Sequence, residues 1–216
     1  MSIKPEDFVE LAKGRRSSRA MSPEPIPREH LDAIVECGLF APSGSNQQPW
    51  HFAVVTDRKL INKMKDAAVA KVELIKDRIS SASAQRSFDG YIQYITFFDN
   101  SSAVICCFVE PYRALLERLL SRYAPEISVS TRENASVQSV AAAVENMLLA
   151  AHAFGYAACW MTGPLIAKED IEKLVKPEGN WDLLAIVALG QRLGGKDAPQ
   201  APKRRPREET VSFFGE

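Results

Sequence analysis

Arg15-Arg16-Ser17-Ser18-Arg19 places three guanidiniums and two hydroxyls in five residues, directly after Gly14. Arginine offers a planar fork of donors and serine a short-range one, so the set suits a phosphate. The same residue types also suit a solvated basic turn. A second stretch runs from Ala41 to Trp50 and reads Ala-Pro-Ser-Gly-Ser-Asn-Gln-Gln-Pro-Trp. Pro42 and Pro49 fix φ and lack a backbone donor, while Gly44 allows φ > 0 or a close backbone approach. The stretch therefore reads as a rigid polar loop. Through Pro42, Ser43, Gly44, Ser45 and Asn46 it could present directional hydrogen bonds to a planar polar ligand. An ordinary turn with satisfied amides draws on the same residues. Two further places stand out. Met161-Thr162-Gly163-Pro164 ends a strand-like run and lets backbone approach a ligand at Thr162 and Gly163. Lys203, Arg204, Arg205 and Arg207 form a second basic cluster near the end of the chain.

No side-chain machinery for acid, base or nucleophilic catalysis stands beside these clusters. The histidines at 30, 51 and 152 have no ligand-like spacing for a metal. The chain lacks G-x-G-x-x-G, G-x-x-x-x-G-K-[ST] and G-x-S-x-G. His152 reads as a satisfied helix-end histidine. Any enzyme built from this chain needs a cofactor to carry the chemistry, with no catalytic side chain expected.

The elements that must position these residues follow from periodicity and punctuation. Helices are expected over Pro5–Lys13, Pro27–Phe40, Asp57–Ile75, Pro111–Arg122, about Asn134 to Phe154, and Lys168–Lys176. The Asn134–Phe154 helix is apolar around most of its circumference, so it is buried in the core or across a subunit contact, and Gly155 should stop it. Strands are expected at His51–Val55, Ala103–Val109, Tyr156–Trp160 and Asp182–Leu189, the last ended by Gly190. Ser80–Ser87 is small and polar and reads as a mobile connection or lid, and Tyr123–Thr131 as irregular. Tyr91, Tyr94, Phe97 and Phe98 form an aromatic stripe of the kind that usually belongs to a core. The fold class is α+β: a central, mostly antiparallel sheet covered by helices on both faces. Residues 1–216 form a single domain, with 191–216 a Gly-, Pro-, Lys- and Arg-rich arm that must lie over its own body or a partner's.

Composition bounds the function. With 27 basic and 27 acidic residues the formal net charge is +0. No global field points to nucleic acid or a membrane surface. No apolar run is long enough to cross a bilayer, no signal-peptide core is visible, and the chain is expected to be cytoplasmic. Cys37, Cys106, Cys107 and Cys159 include no C-x-x-C pair and read as reduced, mostly buried thiols. Cys106 and Cys107, as neighbours in a strand, should face opposite sides of the sheet.

Taken together, the motifs resemble those of the nitroreductase family of flavoproteins. Arg15–Arg19 resembles the family's R-R-S-x-R segment, and Ala41–Trp50 its A-P-S-x-x-N-x-Q-P-W loop. Glu145–Gly155 with Cys159–Pro164 resembles its central helix and following turn. Lys203-Arg204-Arg205-Pro206, with Glu208, Glu209 and Val211, resembles its C-terminal R-K-P-x-E-E-x-V. Residues 65–130 match poorly. The resemblance implies FMN at the interface of an intertwined homodimer. Arg15, Arg16, Ser17 and Arg19 would hold its phosphate and ribityl chain, completed by Arg205 with Lys203 or Arg204. Pro42, Ser43, Gly44, Ser45 and Asn46 of the other subunit would line the ring, and Thr162 and Gly163 would face its reactive edge. Lys63 and Lys65 are candidates for its pyrimidine side. Met21 stands where the family often has an aromatic residue. The implied activity is electron transfer from NAD(P)H to a nitroaromatic or quinone by a ping-pong scheme. Reductive dehalogenation, enone reduction, flavin fragmentation and a non-catalytic flavin carrier are the alternatives.

Overall fold

The computed structural model describes residues 4–110, 115–127, 135–194 and 202–215. Its sheet is built on β5 (Asp182–Arg192). Along one edge β5 pairs with β3 (Ala103–Val109), which pairs in turn with β2 (Trp50–Val55). β4 (Ala157–Met161) also pairs with β5, and β1 (Met21–Ser22) pairs with its last two residues. All these pairings are antiparallel.

The sheet is central because β3 and β5 have no polar face to offer. Every residue of β3 is buried, and its side chains alternate between two cores. Ala103, Ile105, Cys107 and Val109 face α2 (Arg28–Leu39) and α6 (Ala135–Ala153). Val104, Cys106 and Phe108 face α3 (Arg58–Lys76), α4 (Ala82–Thr96) and α7 (Lys168–Val175). The two cysteines thus point to opposite faces, as period-two alternation requires. Opposite Cys107 and Phe108 the register skips Leu184, a bulge that sends both Leu184 and Ala185 to the α2–α6 side.

Several boundaries differ from those read in the sequence. Gly190 does not end its strand: β5 continues to Arg192, and Gly190 lies inside it because β1 crosses close by. A Cβ there would stand 2.9 Å from the Ser22 carbonyl oxygen. β1 itself is too short to leave a periodic signal. Ser80–Ser87 is not a connection throughout. Ser81 caps a helix, its hydroxyl accepting from the Ala84 N–H, and α4 runs from Ala82. The capping serine outweighs the absence of an apolar period in the first two turns. The expected helix Pro111–Arg122 survives as α5 (Leu115–Tyr123), with its first residues outside the described set. Asn134 and residues 128–131 of the irregular segment also lie outside it.

α6 ends as its sequence demands. Gly155 has φ 84° and donates to the His152 carbonyl, while Tyr156 donates to the Ala151 carbonyl. This is the paired closure of a Schellman turn. It sends the chain directly into β4, so the end of α6 and the start of β4 are held together. α1 (Pro5–Gly14) packs near that end but buries no residue of its own, and Phe8 and Val9 remain exposed.

Candidate functional site

The N-terminal arginines are positioned by β4. After α1 the chain runs beside it: Ser17 bridges Ala158, and the Ser18 N–H donates to the Ala158 carbonyl at 3.0 Å. Ser18 is buried, whereas Arg15, Arg16, Ser17 and Arg19 keep some or much of their surface open. Arg15 leans back onto α6, its Nε 3.3 Å from Glu145 Oε1. Its Nη1 is buried and has no hydrogen-bond partner among the described residues. A buried guanidinium nitrogen without an acceptor is costly, so this nitrogen fits an anionic group as its acceptor. Arg16 turns onto its own chain, Nη1 donating to the Arg15 carbonyl at 2.8 Å. Arg192, from β5, stands beside His152 at 3.1 Å. Arg15, Arg16 and Arg192 all bear on His152, and of the three Arg15 is paired with Glu145. The excess positive charge suits a multiply charged anion.

Arg19 lies at the other end of the segment, in a cavity of about 260 Å³. Tyr91, Tyr94, Ile95 and Phe97 line one side, and Cys159 to Gly163 the other. The Arg19 guanidinium donates to the Tyr94 hydroxyl at 3.1 Å and lies 4.9 Å from that ring's centre and 5.9 Å from that of Phe97. The aromatic stripe is therefore divided. Phe98 is fully buried, Phe97 partly so, and Tyr91 and Tyr94 form a wall of the cavity. Thr162 and Gly163 are among the residues lining the cavity. Gly163 serves packing as well as any ligand: a Cβ there would stand 2.5 Å from Ile95 Cγ2, so the missing side chain lets α4 close over the turn. Arg19 is four Cα steps from Arg15, a reach of at most about 14 Å. A ring in the cavity and a phosphate at Arg15, joined by a five-carbon chain, fit that spacing.

The Pro42–Asn46 loop does not line this cavity. It is an exposed turn after α2, tied to itself. The Ser43 hydroxyl accepts from the Gln48 N–H at 3.0 Å, Asn46 donates to the Ser43 carbonyl and Gln47 to the Gly44 carbonyl. The positive φ that Gly44 would allow falls instead on Ser45 (52°), Asn46 (51°) and Gln48 (48°). Each left-handed non-glycine residue costs about 1–3 kcal/mol, and such clusters gather at ligand clamps. Lys203, Arg204 and Arg205 are exposed on the C-terminal arm. Among the described residues no hydrogen bond or ion pair joins them to Arg15 or Arg16. Lys63 is exposed, and Lys65 is paired with Asp99. Met21 is buried in β1. Glu145, Arg192 and the two tyrosines were not among the site residues expected from the sequence. Glu145 did leave a signal, as the one carboxylate on an otherwise apolar helix.

A family model described as the nitroreductase family matches residues 12–191. The chain belongs to the nitroreductase family. Among nitroreductase-family relatives, it is 28% identical to the oxygen-insensitive NADPH nitroreductase of Helicobacter acinonychis over 194 residues, 86% of each chain. It is also 28% identical to the iodotyrosine deiodinase of Danio rerio over 190 residues, 86% of this chain and 60% of that one. A BluB-like flavoprotein structure from Clostridium difficile superposes with a TM-score of 0.84 at 26% identity, over 99% of this chain and 100% of that one. An FMN-bound nitroreductase from Bacteroides fragilis shares the fold, with a TM-score of 0.66 at 22% identity over 97% and 99% of the two chains. The α+β architecture with its antiparallel sheet is thus that of the nitroreductase fold. Among the described residues no helix is long and apolar enough to cross a membrane, and no cluster of His, Cys, Asp or Glu could hold a metal ion.

Proposed function

We propose that this chain binds FMN between two copies of itself and acts as an oxidoreductase, with NAD(P)H as donor and a small aromatic molecule as acceptor. The observation that carries the reading is the unpartnered, buried Nη1 of Arg15. It lies one extended segment away from an aromatic-walled cavity containing Arg19. Arg15, Arg16 and Ser17 would bind the phosphate, and Arg205 with Lys203 or Arg204 would reach it from the arm. Arg19, held by Tyr94, would lie against the ring, and the backbone of Thr162 and Gly163 would meet its edge. When bound, the flavin supplies the hydride and electron transfer. The chain's own part is to hold the phosphate, orient the ring and keep water from one face of it. Among the described residues the ionisable side chains lining the cavity are Arg19, Tyr91, Tyr94 and Cys159.

Apolar surface supports the homodimer. Phe8, Val9, Leu39, Phe40, Phe213 and Phe214 are all exposed in the single chain, Phe214 at 96%. Among the described residues the outer edge of β2 pairs with no strand. A cleft of about 560 Å³ lies beside it, lined in part by Pro23, Ile26, Leu31, Phe52 and Val54. Arg28, Asp32 and Arg58 also line it, so a partner's arm, which carries both charged side chains and Phe213 and Phe214, would be an occupant of matching character. The strained Pro42–Asn46 loop, remote from its own cavity, would then serve the partner's flavin.

The test is an absorption spectrum of purified protein, followed by anaerobic addition of NADH or NADPH and then of a nitroaromatic or quinone. A flavin spectrum, bleached by the donor and restored by the acceptor, is the expected result. Colourless protein that ignores added FMN would overturn the reading. A second reading, reductive dehalogenation, is favoured by the deiodinase relative and by the tyrosine wall beside Arg19. Halide release from a halophenol by the reduced protein, faster than nitroaromatic turnover, would select it.

A further inference from the structure

His152 stands at the meeting of three elements. It lies in the last turn of α6, with its Nε2 3.0 Å from the place a Cβ on Gly14 would occupy. Its Nδ1 is 3.1 Å from Arg192 Nη2. A guanidinium only donates, so the ring accepts at Nδ1 and, when neutral, carries its hydrogen on Nε2. Arg192 is anchored independently of the ring: Nη2 donates to the Tyr156 carbonyl at 2.9 Å and Nε to the Gly155 carbonyl at 3.3 Å. The charged groups facing the ring are Arg15 and Arg16 from the turn after α1 and Arg192 from β5. From its own helix the nearby carboxylate is Glu145, already held by Arg15. The Tyr156 hydroxyl is engaged elsewhere, 2.6 Å from His30 Nδ1. Desolvation first, and then the three arginines, hold the imidazole below its usual range.

The geometry points to His152 as a proton-accepting member of the anion site: when a phosphate monoester binds at Arg15 and Arg16, a proton from solvent is taken up at His152 Nδ1. The inference rests on the flavin phosphate occupying that site. In the step one N–H bond forms at Nδ1 and the Arg192–Nδ1 hydrogen bond breaks. Arg192 keeps its two carbonyl partners, and the imidazolium gains the dianion's charge to offset the arginines that remain around it. The sign follows from linkage. The ring holds its proton more tightly in the complex than in the free protein, so affinity rises as pH falls through the complex's value. The phosphate works in the opposite direction. Its own second ionisation lies near pH 6, with the dianion preferred by arginines, so it alone would release protons on binding.

Calorimetric titration of the flavin-free full chain with FMN, in buffers of different ionisation enthalpy between pH 6 and 7.5, counts the protons. The wild type should take up a measurable fraction of a proton more per FMN than H152Q. Riboflavin, which has no phosphate, should bind without this uptake. The His152 ring resonance, followed by NMR, should titrate at higher pH in the FMN complex than in the free protein. That last measurement needs no variant and stands if H152Q fails to fold. Equal proton counts for wild type and H152Q, or an unmoved His152 titration with FMN bound, would overturn the inference while leaving the phosphate site intact. FMN bound no better than riboflavin, or not at all, would instead remove the phosphate reading on which it depends.

Discussion

Arg15 is the residue on which the site turns. It combines an ion pair to Glu145 with a buried nitrogen that has no acceptor. Charge-assisted hydrogen bonds contribute about 1.5–3 kcal/mol each. Replacing Arg15 by Gln is therefore expected to weaken FMN binding by roughly 10- to 100-fold at 1.4 kcal/mol per decade. The affinity for riboflavin should change little, and fluorescence titration with both ligands checks this. His152 adds a pH dependence to the flavin-free fold. Its folded-state value lies below the usual one, so the unfolded chain binds more protons in that window. Stability should thus fall as pH drops below about 6.5 and the fall should be shallower in H152Q, as measured by urea melts at several pH values. The sheet cysteines form the opposite case. Burial pushes Cys106 up to about 12 and Cys107 well above its ordinary value. Neither is expected to react with a thiol reagent at pH 8 while the protein is folded, and both should react once denaturant exposes them. These thiols were legible as buried from an unbroken apolar run. The pairing of Arg15 with Glu145 was not, because 130 positions separate them and only packing brings α6 to the turn after α1.

At the scale of elements, the turn after β4 links the cavity to α4. Gly163→Ala forces a methyl to within 2.5 Å of Ile95, a branched side chain fixed in the core. Overpacking of this kind costs about 1–3 kcal/mol. A lowered melting temperature together with altered flavin absorbance is the expected result, since α4 carries Tyr91 and Tyr94 into the cavity. The helix ends and the strands of the sheet could be read closely from punctuation: Pro5, Pro27 and Gly155 each mark an element boundary. The start of α4 could not, because its first turns are held by the Ser81 cap and by packing rather than by an apolar stripe. Gly190 misled for a related reason. Glycine ends strands in sequence, but here its missing side chain admits β1.

Considered as a whole molecule, the chain leaves apolar side chains in water and strains an exposed loop, neither of which favours a lone subunit. Truncation before Pro202 should remove the exposed phenylalanines and the basic cluster of the arm together. If the proposed dimer forms, we expect the truncated protein to sediment as a monomer and to lose most of its FMN, whereas Phe213→Ser with Phe214→Ser should weaken that dimer and leave Lys203–Arg205 in place. Light scattering and the flavin-to-protein absorbance ratio distinguish the two outcomes.

Sequence alone determined what is local: where helices stop, which strands are buried on both faces, and which short runs carry arginine forks or a rigid proline-bounded turn. These follow from φ restrictions, side-chain period and charge, all properties of near neighbours in the chain. Tertiary structure decided which distant groups share one electrostatic site. Glu145, His152 and Arg192 meet Arg15 because a Schellman turn folds α6 back against β4 and β5. Tyr94 meets Arg19 because a glycine lets α4 lie down on the strand's end. Such meetings depend on the register of one element against another, and periodicity within a segment carries no record of it.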